Sequence, residues 1–278
     1  MFVIAEVGCN HMGDMKIAEE MISVAATYCK VDAVKFQKRN VKTCLTPTQY
    51  YEPHPVPENS FGKTYGEHRE ALEFTVEQHR ELKSLCHKHG VAYACSVWDH
   101  VSLMDMIEIE ADIIKIPSAK NNNWGLLNLA ISLVNQPLHI SLGMTTREEE
   151  DQILRSLRNR ERMTVVYACT AGYPVAFEDV CLGEITRLRK KFDMPIGYSG
   201  HHLGIAVDIA AMVLGANFIE RHFTLDRSWK GTDHAASLEP DGMRKLVRDL
   251  EHVEQALGYK PRNGFLECEA EQRGKLKC

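Results

Sequence analysis

Two histidines at the ends of successive strand-like runs have the clearest chemistry. His201 ends the run PIGYSGH at 195–201, and His222 ends the run NFIERH at 217–222. If these runs are neighbouring parallel strands, the two imidazoles meet at one edge of the sheet. Two histidine nitrogens with water molecules suit a divalent ion such as Mn, Fe, Co or Zn. The pair predicts a metal or substrate site, and Glu220, one layer below, either supports His222 or pairs with a buried cation.

Two lysines lie inside apolar runs, where an unpaired ammonium is costly. Lys35 stands in AVKFQ and Lys115 in IIKIP. Each needs an anion, which is either a carboxylate such as Glu6 or Glu220, or a bound phosphate or carboxylate. Hydroxyl donors stand at the ends of other strand-like runs: Ser96, Ser118, Ser141 and Ser199. Together they provide enough donors to bind one phosphate, so both explanations remain open.

The alternation of strand-like and helix-like segments determines how these groups are positioned. Strands are predicted near 2–8, 33–37, 91–96, 112–116, 138–142, 164–168, 195–199 and 217–222. Helices are predicted near 14–29, 76–89, 100–109, 124–134, 147–157, 179–191, 204–214 and 241–257. Such alternation indicates parallel βαβ units. Eight units, with no GxGxxG after the first strand, favour a closed (β/α)8 TIM barrel, whose active site lies at the carboxyl ends of the strands.

The predicted domain organisation is one catalytic barrel over 1–258 and a polar C-terminal tail over 259–278. A long insert at about 38–75 follows the second strand, so it emerges on the catalytic face as a lid or as a surface excursion. Asp233 lies in the loop before the last barrel helix, on the same face. It could act as an acid, a base or a helix cap.

Composition excludes several classes of protein. The 278 residues fit one large domain, with 44% hydrophobic and 26% charged residues, and the net charge of −5 gives no reason to expect nucleic-acid binding. Nine dispersed cysteines without a CxxC pair favour reduced thiols and a cytoplasmic location. The N-terminus lacks signal-peptide features, and no apolar run approaches the ~20 residues that span a bilayer.

Several of these segments, in the same order, resemble the sialic acid (N-acetylneuraminate) synthase family over residues 2 to about 258. They are IAEVGCNH (4–11), AVKFQ (33–37), IKIPS (114–118), SLGM (141–144), YSGH (198–201), IERHFT (219–224) and DHAASLEP (233–240). That family condenses phosphoenolpyruvate with an amino sugar to give a 3-deoxy-ulosonic acid. The resemblance implies a phosphoenolpyruvate-dependent, C–C bond-forming transferase of carbohydrate biosynthesis on a TIM barrel.

The resemblance also implies roles for individual residues. His201 and His222 would hold a divalent metal, Mn²⁺ first, with Mg²⁺ or Co²⁺ as alternatives. The implied substrate-binding residues are Gln37, Ser96, Lys115, Ser118, Ser141, Tyr173 and Ser199. Catalytic groups are expected at Glu6, Lys35 and Asp233, without an assignment of which acid handles which proton. The partners are then phosphoenolpyruvate and an aldose, and a homo-oligomer remains open.

Departures from the family pattern concern the sugar half of the site. Lys120 stands where the family usually has Glu, Ala171 where Asn is common, and Gly200 where Asp is usual. The sequence also stops where the family continues into an antifreeze-like domain, which donates an arginine to the sugar's N-acyl group. We therefore expect an aldose other than N-acetylmannosamine. It would carry phosphate or carboxylate, with Lys120 as a substrate-binding cation, or lack the N-acetyl group.

Two alternatives to this function remain. One is a Schiff-base aldolase of the same fold, with Lys115 or Lys120 as the reactive amine. The other is a non-catalytic barrel subunit of a sugar-biosynthesis pathway. Retention of Lys115, Ser199, His201 and His222 argues against the second alternative.

Overall fold

The computed structural model describes residues 1–277 and contains a closed barrel of eight parallel strands. The strands are β1 (Phe2–Gly8), β2 (Ala33–Lys38), β3 (Ala92–Val97), β4 (Ile113–Ile116), β5 (Leu138–Ser141), β6 (Thr164–Cys169), β7 (Ile196–Gly200) and β8 (Phe218–His222). Each strand pairs with the next, and β8 pairs with β1 to close the ring. The predicted (β/α)8 TIM barrel is confirmed, and every predicted strand boundary lies within one residue of the observed one.

Helices connect the strands and form the outer layer. They are α1 (Met15–Val24), α2 (Val41–Cys44), α3 (Pro47–Tyr51), α4 (Tyr65–Ala71), α5 (Val76–Lys88), α6 (His100–Glu108), α7 (Trp124–Leu133), α8 (Arg147–Ser156), α9 (Gly183–Lys191), α10 (Ala206–Val213), α11 (Pro240–Ala256) and α12 (Ala270–Leu276). Polar caps determine where several of them begin. Thr75 and Thr146 form capping boxes with Gln78 and Glu149, which pair the free N–H groups at the start of α5 and α8.

The barrel interior has an apolar layer below a polar one. The layer nearer the amino ends of the strands is a separate cluster of inward-facing side chains, formed by Ile4, Ala33, Ala94, Ile113 and Val165, on which Tyr167 packs from the next layer. Residues two positions further along a strand share its face. The next layer towards the carboxyl ends therefore contains the polar residues Glu6, Lys35, Ser96, Lys115, Ser199 and Glu220, all buried. Outward-facing residues such as Ile114, Val166 and Ile196 pack in the main core beneath the helices.

The predicted insert at 38–75 is folded around short helices of its own. It contains α2, α3 and α4, which the sequence pattern did not predict because each has only four to seven residues. Lys38 Nζ donates to the Phe74 carbonyl at 2.7 Å, which joins the two ends of the insert. Within the insert, the rings of His54 and His68 lie 4.3 Å apart.

The segment after α11 is largely exposed and includes the short helix α12, where the sequence predicted only a polar tail. Cys278, the last residue of that predicted tail, lies outside the described residues. The division at 258 stays a prediction. Across residues 1–277, none of the helices has both the length and the apolar character needed to cross a bilayer.

Candidate active site

A cavity of about 370 Å³ opens at the carboxyl ends of the barrel strands. Twelve of the thirteen predicted site residues line it: Glu6, Lys35, Gln37, Ser96, Lys115, Ser118, Ser141, Tyr173, Ser199, His201, His222 and Asp233. They come from seven of the eight strands and from the loops beyond them. Residues up to 227 positions apart in the sequence are therefore brought to one site by closure of the barrel.

Lys120 is the predicted site residue that the structure does not bring to the cavity wall. It ends the 3₁₀ turn Ser118–Lys120 after β4. Each residue of such a turn rotates the side chain by about 120°, so Lys120 and Ser118 face different directions. The Lys120 charge acts on Cys44 of α2, where it opposes the rise in the pKa of that thiol, to about 12, caused mainly by burial. The contact with a substrate that the sequence predicted for Lys120 is tested below by substitution.

The two interior lysines are paired with two carboxylates. Lys115 Nζ donates to both oxygens of Glu220, at 2.7 and 2.8 Å. Lys35 Nζ lies 2.8 Å from Glu6 Oε2 and 3.5 Å from Glu220 Oε1. Burial opposes ionisation of Glu220, but the charges of Lys115 and Lys35 outweigh it and lower the pKa of that carboxyl. The ion pairs explain how the barrel tolerates both ammonium groups, and both lysines still line the cavity.

Glu220 organises this polar layer and makes no direct hydrogen bond to His222 within the described chain. Ser199 Oγ donates to Glu220 Oε1 at 3.2 Å, in addition to the contacts with Lys115 and Lys35. Of the two roles that the sequence left open for Glu220, pairing with buried cations is the one observed.

Hydroxyl groups surround the lysines on the cavity floor. Lys35 Nζ donates to Ser96 Oγ at 2.8 Å. Ser118 Oγ lies 2.7 Å from the point that a Cβ at position 143 would occupy, so only glycine fits there. Asn121, which the sequence analysis did not single out, donates to the carbonyls of Ser141 and Gly143 at 2.9 and 3.0 Å. This hydrogen bonding holds the loop after β5 close to the floor.

Three further polar side chains converge beside Gly8. A Cβ at that position would lie 3.2 Å from Gln37 Nε2, 3.3 Å from Glu6 Oε1 and 3.6 Å from Asp233 Oδ2. Gly8 has φ +57°, a conformation that favours glycine. Gln37 Nε2 donates to Glu6 Oε1 at 2.7 Å, which fixes the orientation of that carboxylate. Two acids from opposite ends of the chain therefore share one wall of the cavity.

The histidine pair forms the adjacent wall, with ring centroids 5.4 Å apart. The Nδ1 of His201 lies 3.1 Å from the Thr170 carbonyl, so it carries the proton and leaves Nε2 with a free lone pair. Burial and the neighbouring His222 lower the pKa of His201 to about 3, which keeps it neutral. The Nδ1 of His222 is buried without a hydrogen-bond partner and lies 3.9 Å from Asp233 Oδ2. Neutral imidazoles with free nitrogens are good metal ligands.

These residues fit a metal with few protein ligands. Among residues 1–277, no group of three or more His, Cys, Asp or Glu side chains forms a preformed metal cage. His201 and His222 would supply two nitrogens, and oxygens of water or substrate would complete the coordination. Tyr173, whose ring centroid lies 4.3 Å from that of His201, packs beside the pair.

Arg221, which was not predicted as a site residue, holds the loop that carries His201 from outside the barrel. Its guanidinium is buried and donates to Asp208 Oδ2 at 2.5 Å, the His202 carbonyl at 2.7 Å and the Gly204 carbonyl at 2.8 Å. These contacts anchor the loop that follows β7 and carries His201. The available sequence signal was the position of Arg221 between Glu220 and His222 in a strand, where alternation directs it to the face opposite to theirs.

The insert forms the outer wall of the same cavity. Phe61, His68, Arg69 and Leu72 line it, although none of them was predicted as a site residue. Arg39, at the start of the insert, also lines it, stacks on Trp98 at 4.1 Å and pairs with Glu73 at 3.1 Å. The insert therefore emerges on the catalytic face, as the sequence predicted, and it lines the cavity. That it acts as a lid stays a prediction.

A TIM barrel with a polar cavity at the carboxyl ends of its strands is the architecture of a barrel enzyme. The family model described as "NeuB family" matches residues 21–262. The chain is 39% identical over 276 residues to N-acetylneuraminate-9-phosphate synthase of Homo sapiens, covering 99% of this chain and 76% of that protein. It is 35% identical to N,N'-diacetyllegionaminic acid synthase of Legionella pneumophila, covering 92% and 73%.

A solved structure agrees with the sequence relatives. N-acetylneuraminic acid synthetase from Leptospira borgpetersenii superimposes with a TM-score of 0.82 at 30% identity, covering 99% of this chain and 92% of that one. The chain belongs to the NeuB family, as the sequence motifs implied. It is a synthase that condenses phosphoenolpyruvate with a sugar, in a family whose synthases are in general metal-dependent.

Proposed function

We propose that this synthase condenses phosphoenolpyruvate with an aldose 6-phosphate to give a 3-deoxy-2-ulosonic acid phosphate and inorganic phosphate. A divalent metal at His201 and His222 is part of the proposal, Mn²⁺ first and Mg²⁺ or Co²⁺ as alternatives. The main support for the proposal is the composition of the cavity. Two lysines and several hydroxyls lie there beside two histidines that each have a ring nitrogen without a hydrogen-bond partner among residues 1–277.

The position of the phosphate on the aldose follows from carbon counting in a relative. Phosphoenolpyruvate contributes three carbons, which become carbons 1 to 3 of the product. Carbon 9 of a nine-carbon product is therefore carbon 6 of the aldose. The relative from Homo sapiens is named as a synthase of N-acetylneuraminate-9-phosphate, so its sugar substrate carries the phosphate at that carbon. We transfer this feature to the present chain.

The cavity floor is suited to the two anionic groups of phosphoenolpyruvate. An ammonium has three N–H donors. Lys115 uses two of them on Glu220 and keeps one for a ligand. Ser96, Ser118, Ser141 and Ser199 add hydroxyl donors around it. Charge-assisted hydrogen bonds from such a set hold phosphate and carboxylate oxygens in a fixed orientation.

The walls are suited to the aldehyde and to the proton transfers. When bound, the metal supplies a Lewis acid that polarises the aldehyde oxygen. Carbon 3 of phosphoenolpyruvate attacks the aldehyde carbon, water adds at carbon 2, and phosphate leaves by C–O cleavage. Glu6 and Asp233 are the carboxylates within the cavity that can hold or move the protons involved. Lys35 Nζ lies 2.8 Å from Glu6 Oε2, and this ion pair fixes the position of that carboxylate in the cavity.

A phosphate-release assay tests this function directly. The enzyme is incubated with phosphoenolpyruvate and Mn²⁺ against a panel of aldoses and their 6-phosphates, with and without a chelator. We expect release only when metal and an aldose are both present, and most with a 6-phosphate. Absence of release with every aldose in the panel would contradict the proposal. Borohydride added during turnover distinguishes the Schiff-base alternative, which predicts a stable adduct on Lys115 or Lys120.

Lys115→Ala is expected to raise the KM for phosphoenolpyruvate about 10- to 100-fold, because one charge-assisted contact to an anion is worth roughly 1.5–3 kcal/mol. Steady-state kinetics with each substrate varied in turn measures the effect. Lys83→Ala is the matched control, since Lys83 donates to the Ile109 carbonyl at 2.9 Å and does not line the cavity. An unchanged KM with lower thermal stability would make Lys115 a purely structural partner of Glu220.

Lys120→Glu is expected to lower kcat/KM for an anionic aldose by less than about tenfold. The substitution changes the charge by two units, but the side chain acts from outside the cavity wall, where solvent and salt weaken the interaction. Comparing the mutant on an aldose 6-phosphate and on the same aldose without phosphate measures the charge effect alone. A loss of a hundredfold or more on the phosphate ester would show that Lys120 contacts the substrate.

A cytoplasmic location is the remaining part of the proposal. All eight cysteines within residues 1–277 are free thiols, and five of them are partly or fully exposed. Such a set is typical of a reducing compartment.

A further inference from the structure

The cavity is lined by four cationic side chains, and three of them are already neutralised. Lys35 lies 2.8 Å from Glu6, Lys115 lies 2.7 Å from Glu220, and Arg39 lies 3.1 Å from Glu73. The fourth is Arg69, on α4 of the insert. Within residues 1–277 no carboxylate lies within 4 Å of its guanidinium. A cation that lines a substrate cavity without a counter-ion is suited to bind an anion.

The guanidinium of Arg69 is held in place and still has free donors. Its Nε and Nη2 both donate to the Tyr65 hydroxyl, at 3.0 and 2.6 Å, and its Cζ lies 4.9 Å from the centroid of that ring. A guanidinium has five N–H donors, so three remain after these two contacts. Tyr65 therefore orients the Arg69 guanidinium but, being neutral, leaves its positive charge uncompensated.

Lys230 is a second cation for which no carboxylate lies within 4 Å among residues 1–277, and it lies on the same side of the cavity. Lys230, in the loop after β8, places its Nζ 4.8 Å from the centroid of the Phe61 ring, and Phe61 lines the cavity. Burial lowers the pKa of His68 to about 4, and the charges of Arg69 and Lys230 both contribute. The Phe61 ring, which Lys230 contacts, lies 5.9 Å from the His68 ring, and Arg69 follows His68 on α4, so both cations lie near the outer wall that His68 lines. His68 is neutral at physiological pH and does not compete for an anion.

We propose that Arg69 binds the phosphate of the aldose 6-phosphate and so determines selectivity for phosphorylated aldoses, with Lys230 on the Phe61 ring as a second, weaker source of positive charge. This inference rests on the proposed function, which places phosphoenolpyruvate on the lysine and serine floor and the aldehyde at the histidine pair. The aldose chain then extends from the histidines towards the insert, which forms the outer wall. A phosphate monoester carries about −1.5 to −2 charges and three acceptor oxygens, which two cations with several free N–H groups complement.

Arg69→Ala in the full chain tests the inference by a change in selectivity. Kinetics are measured with phosphoenolpyruvate and with two pairs of sugars, mannose and N-acetylmannosamine, each with its 6-phosphate. We expect the KM for the 6-phosphate to rise about 10- to 100-fold, as loss of a charge-assisted contact predicts. The KM for phosphoenolpyruvate and the kinetics with the unphosphorylated sugar should change by less than about twofold.

Two further variants serve as controls. Arg69→Lys should recover part of the lost selectivity, because it restores the charge without the planar arrangement of donors. Lys63→Ala removes one positive charge from an exposed position in the same insert that does not line the cavity, and selectivity should not change. Lys230→Ala should reduce selectivity less than Arg69→Ala, since Lys230 lies outside the wall.

Direct binding separates a failure of this inference from a failure of the proposed function. Calorimetric titration with mannose 6-phosphate and N-acetylmannosamine 6-phosphate, in the presence of phosphoenolpyruvate, should show weaker binding to Arg69→Ala than to the parent protein. Equal binding by the two proteins overturns the role of Arg69, whether or not the parent protein releases phosphate in the assay. A rise in the KM for phosphoenolpyruvate, or equal losses for phosphorylated and unphosphorylated sugars, also overturns it. Absence of phosphate release with every sugar overturns the proposed function alone.

Discussion

Replacing either His201 or His222 by alanine is expected to lower turnover by about three orders of magnitude or more while the barrel stays folded. Each substitution removes one of the two imidazoles that line the cavity, and several kcal/mol of transition-state stabilisation depend on the metal that they would hold. Both side chains line the cavity wall, so their removal leaves little unfilled core. Phosphate release measures turnover, and circular dichroism with thermal unfolding measures the fold.

The matched control is His87→Ala. His87 is half-exposed at the end of α5 and contacts Asp112 at 2.7 Å, so it offers a histidine away from the cavity. Calorimetric titration of the parent protein and of the mutants with Mn²⁺ measures metal binding independently of turnover. Mutants that bind Mn²⁺ as tightly as the parent protein, or that turn over normally after chelation, would show that the metal assignment is wrong.

Glu220→Gln is expected to lower the free energy of unfolding by about 3–5 kcal/mol, the usual cost of breaking a buried ion pair by removing one partner. Glu220 accepts from Lys115 at 2.7 and 2.8 Å and lies 3.5 Å from Lys35, with its side chain 6% exposed. The amide keeps the size of the side chain but leaves two buried ammonium groups with the single carboxylate of Glu6. Equilibrium urea unfolding measures the loss.

The pH dependence of stability should change in the same mutant. Because the lysine charges lower the pKa of Glu220 in the folded state, its contribution to stability is complete above the unfolded pKa of about 4.3 and is lost as the pH falls towards the folded value. The parent protein should therefore lose stability below about pH 4.3 more steeply than Glu220→Gln, which has no titrating group at this position.

Glu108→Gln is the corresponding change at the surface. Glu108 pairs with Arg80 at 2.9 Å, and both side chains are at least half exposed, so the expected loss is about 0–1 kcal/mol. If Glu220→Gln costs no more than Glu108→Gln, the interior pairs do not hold the lysines in place. Their role in positioning phosphoenolpyruvate would then need another explanation.

The eight strands could be predicted from the sequence because their signals are local. Each strand is a short β-branched or aromatic run that ends in polar residues, and residues two apart share one face of a strand. In a barrel this rule is sufficient to bring Lys35 and Gln37, Ser199 and His201, and Glu220 and His222 to the cavity. The family motifs then added the chemistry, because they lie on these same strand ends.

The sequence limited the possible partners of the buried lysines to a few anions but could not assign a partner to each. Lys35 and Lys115 required anions because burial of an unpaired ammonium is costly. Whether Glu220 would contact these lysines or His222 depended on the register of β8 against β7 and β1 and on side-chain conformation, which only the closed barrel determines. In the structure, both oxygens of Glu220 accept from Lys115.

The outer wall of the site was decided by tertiary structure alone. Lys120 follows the family serine by two residues, yet a 3₁₀ turn directs it away from the cavity. Arg69 lies in an insert without a strong periodic pattern, yet the packing of α4 over the barrel mouth brings it to the cavity without a carboxylate partner. The physical reason is that strand pairing follows a repeating geometry that short-range sequence patterns record, whereas the position of a long loop depends on contacts with residues distant in the sequence.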